Sequence, residues 1–251
     1  LTVESDKTIT CTYTNKYVYS NLVVSKTATT AYNRDWTWTI TKSVTPESQN
    51  VASGATADFE YTVTAVPTAH ESGFVTSGVI TVSNPNDVPV PGVSLIDTMT
   101  GGTCSITGTT SGITVAAGAT LTFPYTCTFA SKPAAALTNT ATATWTAGMP
   151  YGTSGTASGT ATADFAQANV AVTGQTITVT DDKTDPAHPV VLGTADATVP
   201  SSQVFTYTLT KTAPAGGCTS FTNTAWLGTD TAHPATATAS ICGGSALEVY
   251  K

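Results

Sequence analysis

The chain has 251 residues, enough for two domains of ordinary size, and only 10% of them are charged. A net charge of −7 with 9 basic residues leaves no Lys/Arg cluster that could neutralise phosphates, which argues against nucleic acid as a partner. No apolar run approaches the roughly 20 residues of a membrane helix, so we expect no membrane insertion of this segment.

The composition favours strands over helices. Threonine and valine, which prefer the pleated surface of a strand, are abundant, and runs of strong helix formers are missing. Short alternating segments succeed one another, separated by glycine, proline and asparagine. This pattern predicts an all-β chain of antiparallel β-sandwiches.

The first 34 residues differ from the rest of the chain. Residues 1–15 alternate threonine with apolar residues and predict a strand, and residues 16–34 contain a second strand-like run at 22–25. We interpret residues 1–34 as the closing strand of a preceding domain plus a linker strand that lies along a sheet edge.

Two related modules occupy residues 35–245. "LTNTATATW" at residues 137–145 returns as "FTNTAW" at 221–226, and an aspartate precedes each asparagine by the same distance, Asp97 to Asn139 and Asp181 to Asn223 (139 − 97 = 42; 223 − 181 = 42). We place sandwich 1 at residues 35–167 and a smaller sandwich 2 at 168–245. The second module lacks counterparts of the opening strands, so it is either smaller or borrows a strand.

The last residues suggest a long repeat. "ALEVYK" at residues 246–251 echoes "NLVVSK" at residues 21–26, so we assign 246–251 as the start of the next repeat. An incomplete second sandwich would expose unpaired strand edges. We therefore predict that residues 21–27 and 246–251 join consecutive repeats or subunits by strand addition.

Four of the five cysteines fall in pairs within one module each. Cys104 and Cys127 lie in the first, and Cys218 and Cys242 in the second. No Cys-x-x-Cys occurs and histidine is scarce, so metal ligation is the weaker explanation. We predict two disulfides in an oxidising compartment, with the partner of Cys11 upstream.

Several phrases resemble known surface-protein repeats. Residues 1–15 resemble the end of Cna-B-like domains. "ITKSVTP", "TVSNPN", "GVSLIDT" and "LTNTATAT" resemble tandem Ig-like repeats of bacterial surface and adhesin stalk proteins, whose signature is a closing "NTATV". The likeness covers residues 37–143 well, and the second module only in its later half. It implies two tandem Ig-like antiparallel β-sandwich domains with a spacer role outside the cell.

Residues for enzyme catalysis do not cluster. His70, His188 and His233 stand in turn-like contexts, and no nucleophile elbow, metalloprotease motif or phosphate loop occurs. Asp181, Asp182 and Asp185 could hold calcium, but they fit no EF-hand spacing and acidic loop residues are usually solvated. We expect no enzyme, cofactor or metal.

One self-directed reaction remains. A lysine on an early strand of such sandwiches can condense with an asparagine on a late strand beside a buried carboxyl group, and the matching residues are Lys42, Asp97 and Asn139. The reaction needs a neutral amine and a carboxylic acid that exchanges protons. The alternative is a solvated lysine and an ordinary ladder asparagine. The second module offers Asp181 and Asn223 but no equivalent lysine.

Two functions compete. The first is a non-enzymatic structural repeat of an extracellular stalk, adhesin or surface filament, whose partners are neighbouring repeats, identical subunits or a host or surface ligand. The second is a carbohydrate- or ligand-binding module. It would use exposed members of the four tryptophans, Trp36, Trp38, Trp145 and Trp226. The solvent exposure of these tryptophans distinguishes the structural function from the ligand-binding one.

Overall fold

A computed structural model describes residues 5–6, 8, 10–13, 19–146, 155–199 and 202–244. These residues form strands and one 3₁₀ helix, Phe165–Gln167, and contain no α-helix, so the predicted all-β class is confirmed. No helix among them is long and apolar enough to cross a membrane. The strands are β1 (Val23–Lys26), β2 (Thr29–Thr45), β3 (Ser48–Ala52), β4 (Thr56–Ser83), β5 (Val90–Met99), β6 (Thr103–Ile106), β7 (Ile113–Val115), β8 (Thr120–Thr128), β9 (Leu137–Trp145), β10 (Gly155–Ala163), β11 (Asn169–Thr173), β12 (Thr176–Asp181), β13 (Val190–Asp196), β14 (Gln203–Thr212), β15 (Gly217–Leu227) and β16 (Asp230–Gly244).

The chain divides into two units that are not consecutive in sequence. Unit 1 comprises Leu1–Ala31 and Gly73–Asn169, and unit 2 comprises Tyr32–Ser72 and Val170–Lys251. The predicted boundaries, 35–167 and 168–245, therefore assign residues 35–72 to the wrong module. β4 explains the difference, because its first half pairs with β14 whereas its second half pairs with β8. The second module thus has its opening strands, since it takes them from upstream of the first.

Unit 1 has two sheets around one core. β1, the second half of β4, β8 and β6 form one sheet, and β10, β9, β5 and β7 form the other. Alternate residues of each strand enter the core, as the period of two requires. Both sheets contribute to it, with Leu22, Val24, Ile80, Val82, Tyr125 and Cys127 from the first sheet and the segment leading into it, and Leu95, Met99, Val115, Ala141, Ala143 and Trp145 from the second.

Unit 2 is built in the same way. β11, β2, the first half of β4 and β14 form one sheet, and β13, β12, β15, β16 and β3 form the other, in which β3 runs parallel to β16. Aromatic rings fill part of the core: Phe59 packs edge-on against Phe221, and Tyr61 stacks on Tyr207 with ring centroids 5.5 Å apart. Such ring pairs add to the stabilisation from buried area.

The first of the two segments in the strand-addition prediction, residues 21–27, does not follow it. β1 pairs antiparallel with β4 inside unit 1, Val23 opposite Ser83 and Lys26 opposite Ile80. Residues 21–27 therefore complete their own unit, and for them the prediction is wrong. Residues 246–251 lie outside the described residues, as do most of residues 1–15, whose described portion at 10–13 is not in a strand.

Both disulfides join residues that face each other on neighbouring strands. Cys104 on β6 bonds to Cys127 on β8, and Cys218 on β15 bonds to Cys242 on β16. These are the two pairs that the sequence predicts. Cys11 is a free, exposed thiol. Each disulfide closes a short loop and, in the chain-entropy account, stabilises its unit by about 3 kcal/mol.

Two glycines allow β1 to lie close to its neighbours. A Cβ atom on Gly78 of β4 would overlap the carbonyl group of Thr27, and one on Gly159 of β10 would overlap the carbonyl group of Val24. We expect Gly78→Ala to displace β1 and to lower the free energy of unfolding by about 1–3 kcal/mol in urea titration. Gly216→Ala is the control, because a Cβ atom there meets nothing within 4 Å. Equal midpoints for the two variants would contradict this role of Gly78.

Candidate functional site

Each unit buries one lysine against one aspartate. Lys26 Nζ donates to Asp97 Oδ1 in unit 1, and these side chains are 0% and 1% exposed. Lys42 Nζ donates to Asp181 Oδ2 in unit 2, and both of these side chains are 0% exposed. A buried ion pair seldom stabilises a fold more than apolar residues of similar size would. Two such pairs in similar surroundings therefore indicate a reactive role for the buried side chains rather than a stabilising one.

Sheet register brings an asparagine to each pair. Asp97 on β5 lies opposite Ala141 on β9, two residues from Asn139. Asp181 on β12 lies opposite Ala225 on β15, two residues from Asn223. Residues two apart on a strand share a face, and diagonal neighbours on adjacent strands are within reach of each other. In both modules, the aspartate and the asparagine that follows it by 42 residues are thus diagonal neighbours on adjacent strands.

Both asparagine side chains are completely buried. Asn223 Nδ2 donates to the hydroxyl of Tyr207 at 2.6 Å, and Asn139 Nδ2 lies 3.6 Å from the Sγ atom of Cys127. Among the described residues, neither Asn139 Oδ1 nor Asn223 Oδ1 has a hydrogen-bond donor. A buried acceptor without a donor costs about 1–3 kcal/mol. Each asparagine therefore keeps an unsatisfied amide oxygen within its cluster.

A tyrosine accompanies each cluster. The hydroxyl of Tyr207 donates to Asp181 Oδ1 at 2.7 Å and accepts from Lys42 Nζ at 3.0 Å. The hydroxyl of Tyr125 donates instead to the carbonyl oxygen of Thr27 at 2.7 Å, and Lys26 Nζ lies 3.8 Å from the centre of its ring. Burial raises the pKa of Tyr125 to about 12 and raises that of Tyr207 further. Both phenols therefore stay protonated near neutral pH.

Burial also weakens the hold of each lysine on its proton. Desolvation lowers the pKa of Lys26 and of Lys42, and this effect outweighs the opposing attraction of Asp97 and Asp181. A lysine with a lowered pKa gives up its proton more readily and becomes a nucleophilic amine. Each cluster thus joins a potential nucleophile, a carboxyl group that can carry protons, and the electrophilic carbon of a side-chain amide.

The predicted trio of Lys42, Asp97 and Asn139 does not form. Lys42 lies in unit 2 with Asp181, and Lys26 takes the place beside Asp97. Sequence reasoning missed Lys26 because it falls in the segment interpreted as a linker strand. The signal that could have found it is the position of the lysine in two alternating runs, since Lys26 follows Leu22 and Val24 at intervals of two just as Lys42 follows Trp38 and Ile40. Unit 2 accordingly has a lysine for its cluster, Lys42, which the sequence analysis assigned to module one.

The histidines and the acidic loop make separate local contacts. His188 pairs with Asp185 and His233 with Asp230, and both histidine side chains are 84% exposed. His70 contacts the hydroxyl of Thr37 at 3.0 Å. In the loop considered for calcium, Asp181 faces Lys42, whereas Asp182 Oδ1 accepts from the backbone amides of Thr184 and Thr224.

The tryptophans offer no flat exposed platform. Trp145 is buried, and Trp36, Trp38 and Trp226 are half-buried. The indole of Trp38 donates to the carbonyl oxygen of Gly174 at 2.8 Å, and the ring of Trp145 fills the space beside Gly155. Indoles that pack against their own backbone favour a structural role over stacking on a sugar ring.

Comparison of the chain with family models, with curated proteins and with solved structures found no match. The resemblance to surface-protein repeats therefore stays a prediction.

Proposed function

We propose that this chain is a non-enzymatic structural repeat of an extracellular stalk, adhesin or surface filament, built from two Ig-like sandwiches that each form an internal Lys–Asn isopeptide bond. The observation that carries the proposal is the burial of a matching lysine, aspartate and asparagine in both units. Neighbouring repeats or identical subunits are its proposed partners.

The bonds that form and break are the same in each unit. A proton moves from the lysine ammonium to the aspartate, which leaves a neutral amine and a carboxylic acid. In unit 1, Lys26 Nζ attacks Cγ of Asn139 while Asp97 hydrogen-bonds the amide oxygen, and in unit 2 Lys42 attacks Asn223 beside Asp181. The new C–N bond forms and the Cγ–Nδ2 bond breaks. The aspartate gives its proton to Nδ2, which leaves as ammonia, and then takes one of the two protons of the amine. The aspartate gives one proton and regains one.

Such bonds suit a protein that bears tension. The Lys42–Asn223 bond would connect β2 directly to β15, so force applied at the chain ends would bypass residues 43–222. The Lys26–Asn139 bond would likewise connect β1 to β9. An amide bond resists reduction, unlike a disulfide, and the two disulfides of the chain agree with an oxidising location outside the cell.

The intact mass of the purified chain tests the proposal. After reduction of the disulfides, we expect a mass about 34 Da below that of the sequence, because each bond expels one ammonia of about 17 Da. Asn139→Ala and Asn223→Ala should each prevent the loss of one ammonia. Peptide mapping of the wild-type chain should find Lys26 joined to Asn139 and Lys42 joined to Asn223. A reduced chain at its full sequence mass would refute both bonds.

A further inference from the structure

The two clusters differ in how the aspartate is connected to the departing nitrogen. In unit 2, Asn223 Nδ2 lies 2.6 Å from the hydroxyl of Tyr207, and this hydroxyl is also hydrogen-bonded to Asp181. In unit 1, Asn139 Nδ2 faces the sulfur of Cys127, which is in a disulfide and carries no proton. We infer that Tyr207 is a catalytic residue that passes the proton from Asp181 to the nitrogen leaving Asn223, and this inference rests on the isopeptide bonds proposed above.

The contacts define the proton path. Asp181 takes the proton of Lys42 on Oδ2, and a turn of the carboxyl group about its Cβ–Cγ bond brings that proton to the side of Tyr207. The carboxylic acid then donates to the oxygen of Tyr207, which lies 2.7 Å from Oδ1. Tyr207 passes its own proton to Nδ2 of Asn223 as the Cγ–Nδ2 bond breaks, and receives the proton of Asp181 in exchange. One of the two protons that remain on Lys42 Nζ passes to Asp181, and the other stays on the nitrogen of the new amide bond. Tyr207 is thus neutral before and after, as a buried phenol should be.

The tyrosine of unit 1 makes different hydrogen bonds. The hydroxyl of Tyr125 donates its proton to the backbone carbonyl of Thr27 and not to Asp97. Among the described residues, the printed side-chain contacts of Asp97 are with Lys26 and Cys127, so we expect Asp97 to protonate the leaving nitrogen without a tyrosine relay. This difference makes unit 1 an internal control for unit 2 within one molecule.

Tyr207→Phe removes the relay and keeps the ring that stacks on Tyr61. The full chain would be made by cell-free synthesis, quenched with acid at intervals, and analysed by peptide mass spectrometry for each bond. General acid catalysis typically contributes 10²–10⁴-fold, so we expect the Lys42–Asn223 bond of this variant to form at least about 100-fold more slowly. The Lys26–Asn139 bond of the same molecules should form at the wild-type rate. Tyr125→Phe, the same substitution beside the other cluster, should leave the rate of the Lys42–Asn223 bond unchanged, and it should slow the Lys26–Asn139 bond far less than Tyr207→Phe slows the Lys42–Asn223 bond.

A second variant separates proton transfer from packing. Fluorotyrosine placed at position 207 keeps the hydroxyl and the ring but changes the acidity of the phenol, so it should alter the rate of the Lys42–Asn223 bond, whereas a purely structural role would leave it unchanged. Wild-type rates for Tyr207→Phe, or equal slowing by Tyr125→Phe, would overturn the role of Tyr207 alone. A wild-type chain that loses no ammonia would overturn the isopeptide proposal and this role with it.

Discussion

Asn139→Ala is expected to lower the free energy of unfolding by about 5 kcal/mol, because the Lys26–Asn139 bond closes a loop of 113 residues (139 − 26 = 113). The entropy relation used for disulfides gives about 4.7 kcal/mol for a loop of 100 residues. The variant keeps the Lys26–Asp97 ion pair, so loss of the bond dominates the effect. Urea titration and calorimetry would measure it.

The control for this substitution lies on the same strand. Thr138 is exposed next to Asn139 on β9, and Thr138→Ala should change stability by no more than about 0.5 kcal/mol. The loss for Asn139→Ala should persist when the disulfides are reduced, since an amide bond is insensitive to thiols. A loss below about 1 kcal/mol would show that no bond crosses from β1 to β9.

Asp181→Asn should destabilise the protein more than Asn223→Ala does, although each variant lacks the same bond. Asn223→Ala retains the Lys42–Asp181 pair, whereas Asp181→Asn also leaves the ammonium of Lys42 buried without its counter-ion. Breaking one side of a buried pair costs about 3–5 kcal/mol. We therefore expect the free energy of unfolding of Asp181→Asn to lie at least about 3 kcal/mol below that of Asn223→Ala in urea titration.

Asp185→Asn is the matched control, because Asp185 is an exposed aspartate in the loop after β12 and its replacement changes the net charge equally. It should retain both bonds and near wild-type stability. The intact mass of Asp181→Asn is a second measurement. It should show the loss of one ammonia, about 17 Da, from unit 1 and no such loss from unit 2. A complete Lys42–Asn223 bond in this variant would show that Asp181 does not carry the protons.

Sequence patterns could identify the two asparagines for a physical reason. The separation of Asp97 from Asn139 equals that of Asp181 from Asn223, and this repetition is visible without coordinates, whereas only the sheet register shows each pair to be diagonal neighbours. Tyr207 could not be identified in this way. The alternation of β14 indicates which face carries its ring, but only the packed core directs its hydroxyl at Lys42, Asp181 and Asn223.

The sequence by itself determined the all-β class, the cysteine pairs and the aspartate and asparagine of each cluster, because strand periodicity and local register depend on short-range patterns. Only the tertiary structure decided which lysine serves which cluster. Lys26 and Asp97 are 71 residues apart and Lys42 and Asp181 are 139 apart, separations that no local pattern encodes. The choice results from β4, whose two halves pair with strands of different units and so place β1 in unit 1 and Lys42 of β2 in unit 2.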